Sequence, residues 1–93
     1  MNKVFVLKND VVVHSEVLQK KDRKKQLGSL YRKYGTNRLF TYGLADGATK
    51  PTWHRVEFVW NSSCTDIKRA HMYFLTVKDL PKVLQMMVLV GAA

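Results

Sequence analysis

Five of the six residues from Lys20 to Lys25 are cationic: Lys20, Lys21, Arg23, Lys24 and Lys25, interrupted only by Asp22. Arg32 and Lys33 lie about two helical turns later, and Arg38 closes the segment. From residue 20 to residue 38, eight cations face one acid, a net +7 out of the +9 carried by the whole chain. The charge is therefore a local excess on an otherwise near-neutral chain. A local excess is suited to docking something negative, and along a nucleic-acid backbone each neutralised phosphate releases counterions. The competing reading is a solvated helix face that keeps a small protein soluble. The run also resembles a nuclear localisation patch, a short and unspecific pattern.

A second group is aromatic. Trp53 and Arg55 share the less apolar face of a strand, with Glu57 beyond them. Aromatics beside arginine on a sheet are the elements of a base-stacking platform, and Trp53 reads equally as the edge of a core. Neither an RNP-type sequence nor a Gly-x-x-Gly loop accompanies them.

The remaining reactive side chains form no pattern. His14, His54 and His71 lack metal-ligand spacing, and His54 belongs with Val56, Phe58 and Trp60 on an apolar face. Cys64 has no nucleophile signature around it. Asp46 and Glu57 could supply two carboxylates to a nuclease metal, but Val59 stands where a lysine two residues past Glu57 would be needed. A P-loop, a dinucleotide fingerprint and a zinc-protease helix are absent. No catalytic residue, metal or cofactor is expected.

The elements that must position these groups are set by periodicity. Lys3–Leu7 and Val11–His14 read as strands around an Asn9-Asp10 turn, a hairpin. Ser15 is a fair helix cap, and the chain then reads helical to about Tyr34, with Gly35 as the C-terminal cap. Leu27, Leu30, Tyr31 and Tyr34 make its apolar stripe. A rival reading extends the strand through Leu18 and starts the helix near Asp22, and Gly28 weakens either version slightly. Leu39–Leu44 and Thr52–Trp60 are strands, separated by a loop that turns at Asp46-Gly47. Thr65–Ala70 reads as one turn of helix and Met72–Val77 as a last strand. Asp79 then caps an apolar helix that carries Leu80, Leu84, Met87 and Val88 and runs to Val90, with Pro81 in its first turn.

Ninety-three residues allow one domain, spanning 1–93. The order of elements implies an α+β fold. It is a mostly antiparallel sheet of about four to five strands, with one long basic helix, a C-terminal apolar helix, and both helices on one face. A single cysteine excludes an internal disulfide. The apolar run at Val4–Leu7 is too short for a signal-peptide core, and Val83–Ala93 falls short of the ~20 residues of a membrane span. A cytoplasmic, reducing setting is expected, with no membrane partner.

Three functions fit these features. In the first, a small nucleic-acid-binding protein contacts phosphates of DNA or RNA through Lys20, Lys21, Arg23, Lys24, Lys25, Arg32, Lys33 and Arg38, with Trp53 and Arg55 nearer the bases. In the second, a non-enzymatic interaction module or inhibitor docks the same face on an acidic or nucleic-acid-handling protein. Small phage-encoded inhibitors of host defence share this size and single-domain build, an analogy of class alone. The third is a small basic ribonuclease of toxin type. The C-terminal helix, apolar nearly all round, is expected to be buried either against the sheet or against a second copy, the latter giving a homodimer through Leu80, Leu84, Met87 and Val88.

Overall fold

The computed structural model describes residues 2–44 and 47–89. Asp46 and Val90 lie outside the described residues, and with them the Asp46-Gly47 turn, the Asp46–Glu57 carboxylate pair and the end of the last helix. Strand β1 (Lys3–Lys8) and strand β2 (Val11–Val17) form the expected hairpin. Asn9 and Asp10 have φ values of 53° and 63°, the left-handed pair that a two-residue turn matching strand twist requires.

Beyond this turn the chain departs from the helix expected to begin at Ser15. Ser15 and Glu16 pair with Phe5 and Val4 in the sheet, so Ser15 caps nothing. Helix α1 spans Arg23–Tyr34, as in the rival reading. A β-branched run beside a buried strand outweighs a local capping preference, because pairing with β1 satisfies the backbone groups along that side of the run. Gln26 fastens the junction. Its Oε1 accepts from the Gln19 N–H at 2.7 Å, and its Nε2 donates to the Val17 carbonyl at 2.9 Å and to the Glu16 carboxylate. Gly35 ends α1 at φ 65° and donates its N–H to the Tyr31 carbonyl at 2.9 Å, as a C-terminal cap should.

Strands β3 (Leu39–Gly43), β4 (Thr52–Trp60) and β5 (Ile67–Leu75) complete a five-stranded antiparallel sheet in the order β2-β1-β3-β4-β5. Thr65–Ala70 is not helical. The Asn61 side chain organises a turn by accepting from the Thr65 N–H at 3.0 Å, and β5 starts at Ile67. A bulge at Lys68 sets Ile67 opposite Trp60. It brings Ile67 onto α1 beside Gly28, where an added Cβ would lie 3.0 Å from the Ile67 Cδ1. Gly28 thus lets the helix approach the sheet closely.

The helices lie on opposite faces of the sheet, not together on one. Val4 and Val6 of β1 pack with Leu27 and Leu30 of α1, while Phe5 and Leu7 of the same strand pack with Leu84 of α2 (Lys82–Leu89). Successive residues of a strand point to opposite faces, so the two cores lie on either side of the sheet. Asp79 belongs to a short 3-10 turn (Val77–Asp79) and accepts from the Thr76 hydroxyl, and α2 starts after Pro81. Leu80 and Leu84 are buried in the second core, with Met87 and Val88 packed against it. Of the four side chains assigned to a homodimer, Leu80 and Leu84 are therefore occupied within the chain, while Met87 and Val88 are half-buried.

Replacing Gln26 with alanine removes the fastening and is expected to lower stability by about 1–3 kcal/mol, read as a lower urea midpoint. An unchanged midpoint would show that the junction holds without it. Leu84→Ala empties a site that is 0% exposed and costs about 2–5 kcal/mol. The loss is expected to be the same at every protein concentration, and a midpoint that moves with concentration would place α2 at an interface between copies instead.

Candidate functional site

The structure divides seven of the eight clustered cations by their position on α1. Lys20 and Lys21 lie in the turn before the helix, and Arg23, Lys24 and Lys25 form its first turn. A helix carries roughly half a positive charge at this end, from backbone N–H groups without intrahelical partners. Acids are favoured here and cations are not, yet the first turn contains no acid. Asp22 precedes it in a left-handed conformation, and its side chain makes no capping bond. Among the described residues, Lys21, Lys24 and Lys25 are exposed and make no ion pair or hydrogen bond. Arg23 is half-buried, with Nη1 3.2 Å from the Met72 sulfur. Arg32 and Lys33 sit in the last turn, where cations are favoured, and both have local contacts. Arg32 lies 3.5 Å from Asp66, and the Lys33 ammonium lies 5.5 Å from the Tyr34 ring centre.

The other three predicted residues lie elsewhere. Trp53 is 4% exposed, packed against Phe5 and Tyr42 in the core that α2 covers. It is not available for stacking, because its face of the strand meets a helix rather than solvent. Arg55 stays on that face, donates to Glu57 at 2.8 Å and sits 4.9 Å over Tyr73. The Arg38 guanidinium lies 5.3 Å over Phe40, the residue paired with Arg55 across β3 and β4. Sequence reasoning missed Tyr73 and His71, whose rings are 4.3 Å apart beside Arg55 and Glu57. The available signal was the alternation Arg69, His71, Tyr73 along β5. The basic residues of α1 and this arginine–aromatic group thus occupy opposite faces of the sheet.

The histidines do not converge. His14 stacks on Tyr34 and contacts Glu16 at 2.6 Å. Hydrogen bonds from Gln26 and His14 hold the Glu16 carboxyl below its usual range. His71 is exposed. His54 stands opposite Thr41 in the β3–β4 ladder and lines a pocket of about 190 Å³ at the start of α1, together with Thr41, Arg23, Lys20 and Met72. Among the described residues, no three His, Cys, Asp or Glu side chains group as metal ligands. No described helix is long and apolar enough to cross a membrane. No protein-family model matches the chain, and neither a curated protein nor a solved structure matches it.

Burial, aided by the positive charge of Arg23, pushes the His54 pKa below its ordinary value. The unfolded chain therefore takes up this proton at a higher pH than the folded one, so acid favours unfolding. Stability is expected to fall as pH drops through the unfolded value of about 6.5 and to level off below the depressed folded value. His54→Phe should remove this step from a melting-temperature series and leave the lower one, near pH 4.5 and below, where Glu16 takes up its proton. A step of unchanged size in the variant would assign it to another group.

Proposed function

We propose that this protein binds nucleic acid through its phosphate backbone, using the cations at the start of α1. The observation that supports this reading is the placement of five cations at the positive end of a helix with no acid in its first turn. Within the free protein these charges repel one another and the helix dipole. Each such misplacement costs about 0.3–1 kcal/mol at an exposed site. A bound polyanion is attracted to each of these cations and to the helix dipole, and so offsets these repulsions. The exposed lysines, Lys21, Lys24 and Lys25, are available for that contact, and Arg32 and Lys33 extend it along the helix. A helix of twelve residues is about 18 Å long, and that length of duplex axis carries about ten phosphate charges.

Contacts of this kind position a strand without reading its bases. Affinity is therefore expected to depend weakly on sequence and strongly on salt. Five neutralised phosphates give a slope of about −4 to −5 in log affinity against log salt on duplex DNA.

The test is charge reversal at Lys21, Lys24 and Lys25 to Glu, with fluorescence anisotropy on DNA and RNA across a salt series. Wild type should bind with the steep slope, and the reversed variant should not bind. Acids at the start of α1 complement the dipole, so the same variant is expected to melt at a higher temperature than wild type. Binding loss with a raised melting temperature separates an interface from a folding defect. Wild type that binds neither polymer at low salt would refute the proposal. A nuclease-resistant complex with an acidic protein would then put the same face to the second use its charge allows.

A further inference from the structure

The pocket at the start of α1 has a feature that the surface lysines lack. Thr41 is 3% exposed, and its hydroxyl has no hydrogen-bond partner among the described residues. Burying a hydroxyl without a partner is unfavourable, so nearly all such groups in folded proteins are satisfied by protein, water or ligand. The sheet register sets this residue beside the pocket. Val4, Thr41 and His54 form one row across β1, β3 and β4 on the face that α1 covers, and α1 begins just beyond that row. The pocket lining includes Arg23 and Lys20 and, among the described residues, no acid.

We propose that this pocket holds a phosphate group, with the Arg23 guanidinium and the Thr41 hydroxyl as its donors. Three further observations support the assignment. Arg23 makes no ion pair among the described residues, and its Nη1 donates only to the Met72 sulfur, a weak acceptor that an oxyanion oxygen outcompetes. The uncapped start of α1 adds the positive end of its dipole. His54, kept neutral by burial and by Arg23, retains one N–H to donate. The size is also selective. A space of about 190 Å³ is below the ~300–1,000 Å³ of whole small-molecule sites, so it fits a phosphate head group rather than a complete nucleotide. The inference shares with the preceding reading the idea that the start of α1 faces phosphate, but its donors are a buried hydroxyl and a half-buried guanidinium rather than surface lysines. The group could be free phosphate or the terminal phosphate of a strand.

The experiment is a ¹H–¹⁵N NMR titration of the protein with inorganic phosphate at constant ionic strength, repeated on Thr41→Val and Arg23→Gln. Saturable shifts at Thr41, His54 and Arg23 are expected in wild type. Thr41→Val should weaken phosphate binding about tenfold, the loss of one hydrogen bond to a charged group. It should leave stability without phosphate unchanged or raised, because it removes an unpaired buried hydroxyl. Shifts that rise without saturating, that stay on Lys21, Lys24 and Lys25, or that are the same in Thr41→Val would overturn the proposal and leave the pocket to water. Two oligonucleotides of one sequence, with and without a 5′-phosphate, identify the source. A wild-type preference for the phosphorylated strand that Thr41→Val loses assigns the pocket to strand ends. Equal binding of the two strands, with saturable inorganic phosphate, assigns it to the free ion. Failure to bind the 5′-hydroxyl strand refutes the nucleic-acid reading alone and leaves the phosphate titration to decide the pocket.

Discussion

Everything in this fold depends on burying β1 from both sides. Val4, Phe5, Val6 and Leu7 are four consecutive side chains with essentially no exposure. Neighbouring residues of a strand cannot share a face, so one helix can cover only half of them. Val4 and Val6 require α1, and Phe5 and Leu7 require α2. A small domain has little apolar surface to spare, and each of these side chains contributes about 1.5–3 kcal/mol on burial. The two-sided arrangement is therefore set by β1, and the positions of the candidate sites depend on it. With α2 on one face, Trp53 is covered. With α1 on the other, its basic first turn is brought beside Thr41 and His54.

This arrangement was partly legible in the sequence. Strand β4 runs from Thr52 to Trp60 as its alternation implies, and Gly35 and the stripe from Leu27 to Tyr34 locate the end and inner face of α1. The placement of both helices on one face was not correct, although the contrary sign was present. A strand with one wet face alternates, whereas Val4-Phe5-Val6-Leu7 does not alternate at all. Ser15 misled for a different reason. Its capping preference is local, and the pairing that overrides it is made with β1, ten residues away in the chain. The bulge at Lys68 was equally hidden, because nothing in Ile67-Lys68-Arg69 shows which residue lacks a partner.

The candidate site was legible as chemistry but not as geometry. The clustering of Lys20 to Lys25 is plain from the residues, but the junction between β2 and α1 decides its meaning. Had the helix begun at Ser15, the run would have been a mid-helix face, far from the charged end of the dipole. Gln26, a neutral polar residue at the end of the lysine run, carries the bonds that hold the junction. Thr41 carried no signal at all. Its importance arises only when register places it against His54 under the start of α1.

The two ends of α1 make the strongest physical distinction between cations that serve the fold and cations that do not. Arg32 and Lys33 stand where the dipole favours them and rest against Asp66 and Tyr34, so their removal should weaken the free protein. Lys24 and Lys25 stand where the dipole opposes them and make no ion pair or hydrogen bond among the described residues, so their removal should strengthen it. A charge that only keeps a protein soluble can sit on any exposed position, and the favourable end of a helix is as available as the unfavourable one. The concentration of cations at the unfavourable end is thus poorly accounted for by solubility, whereas an anionic partner at that end is attracted to both the cations and the dipole and offsets their mutual repulsion.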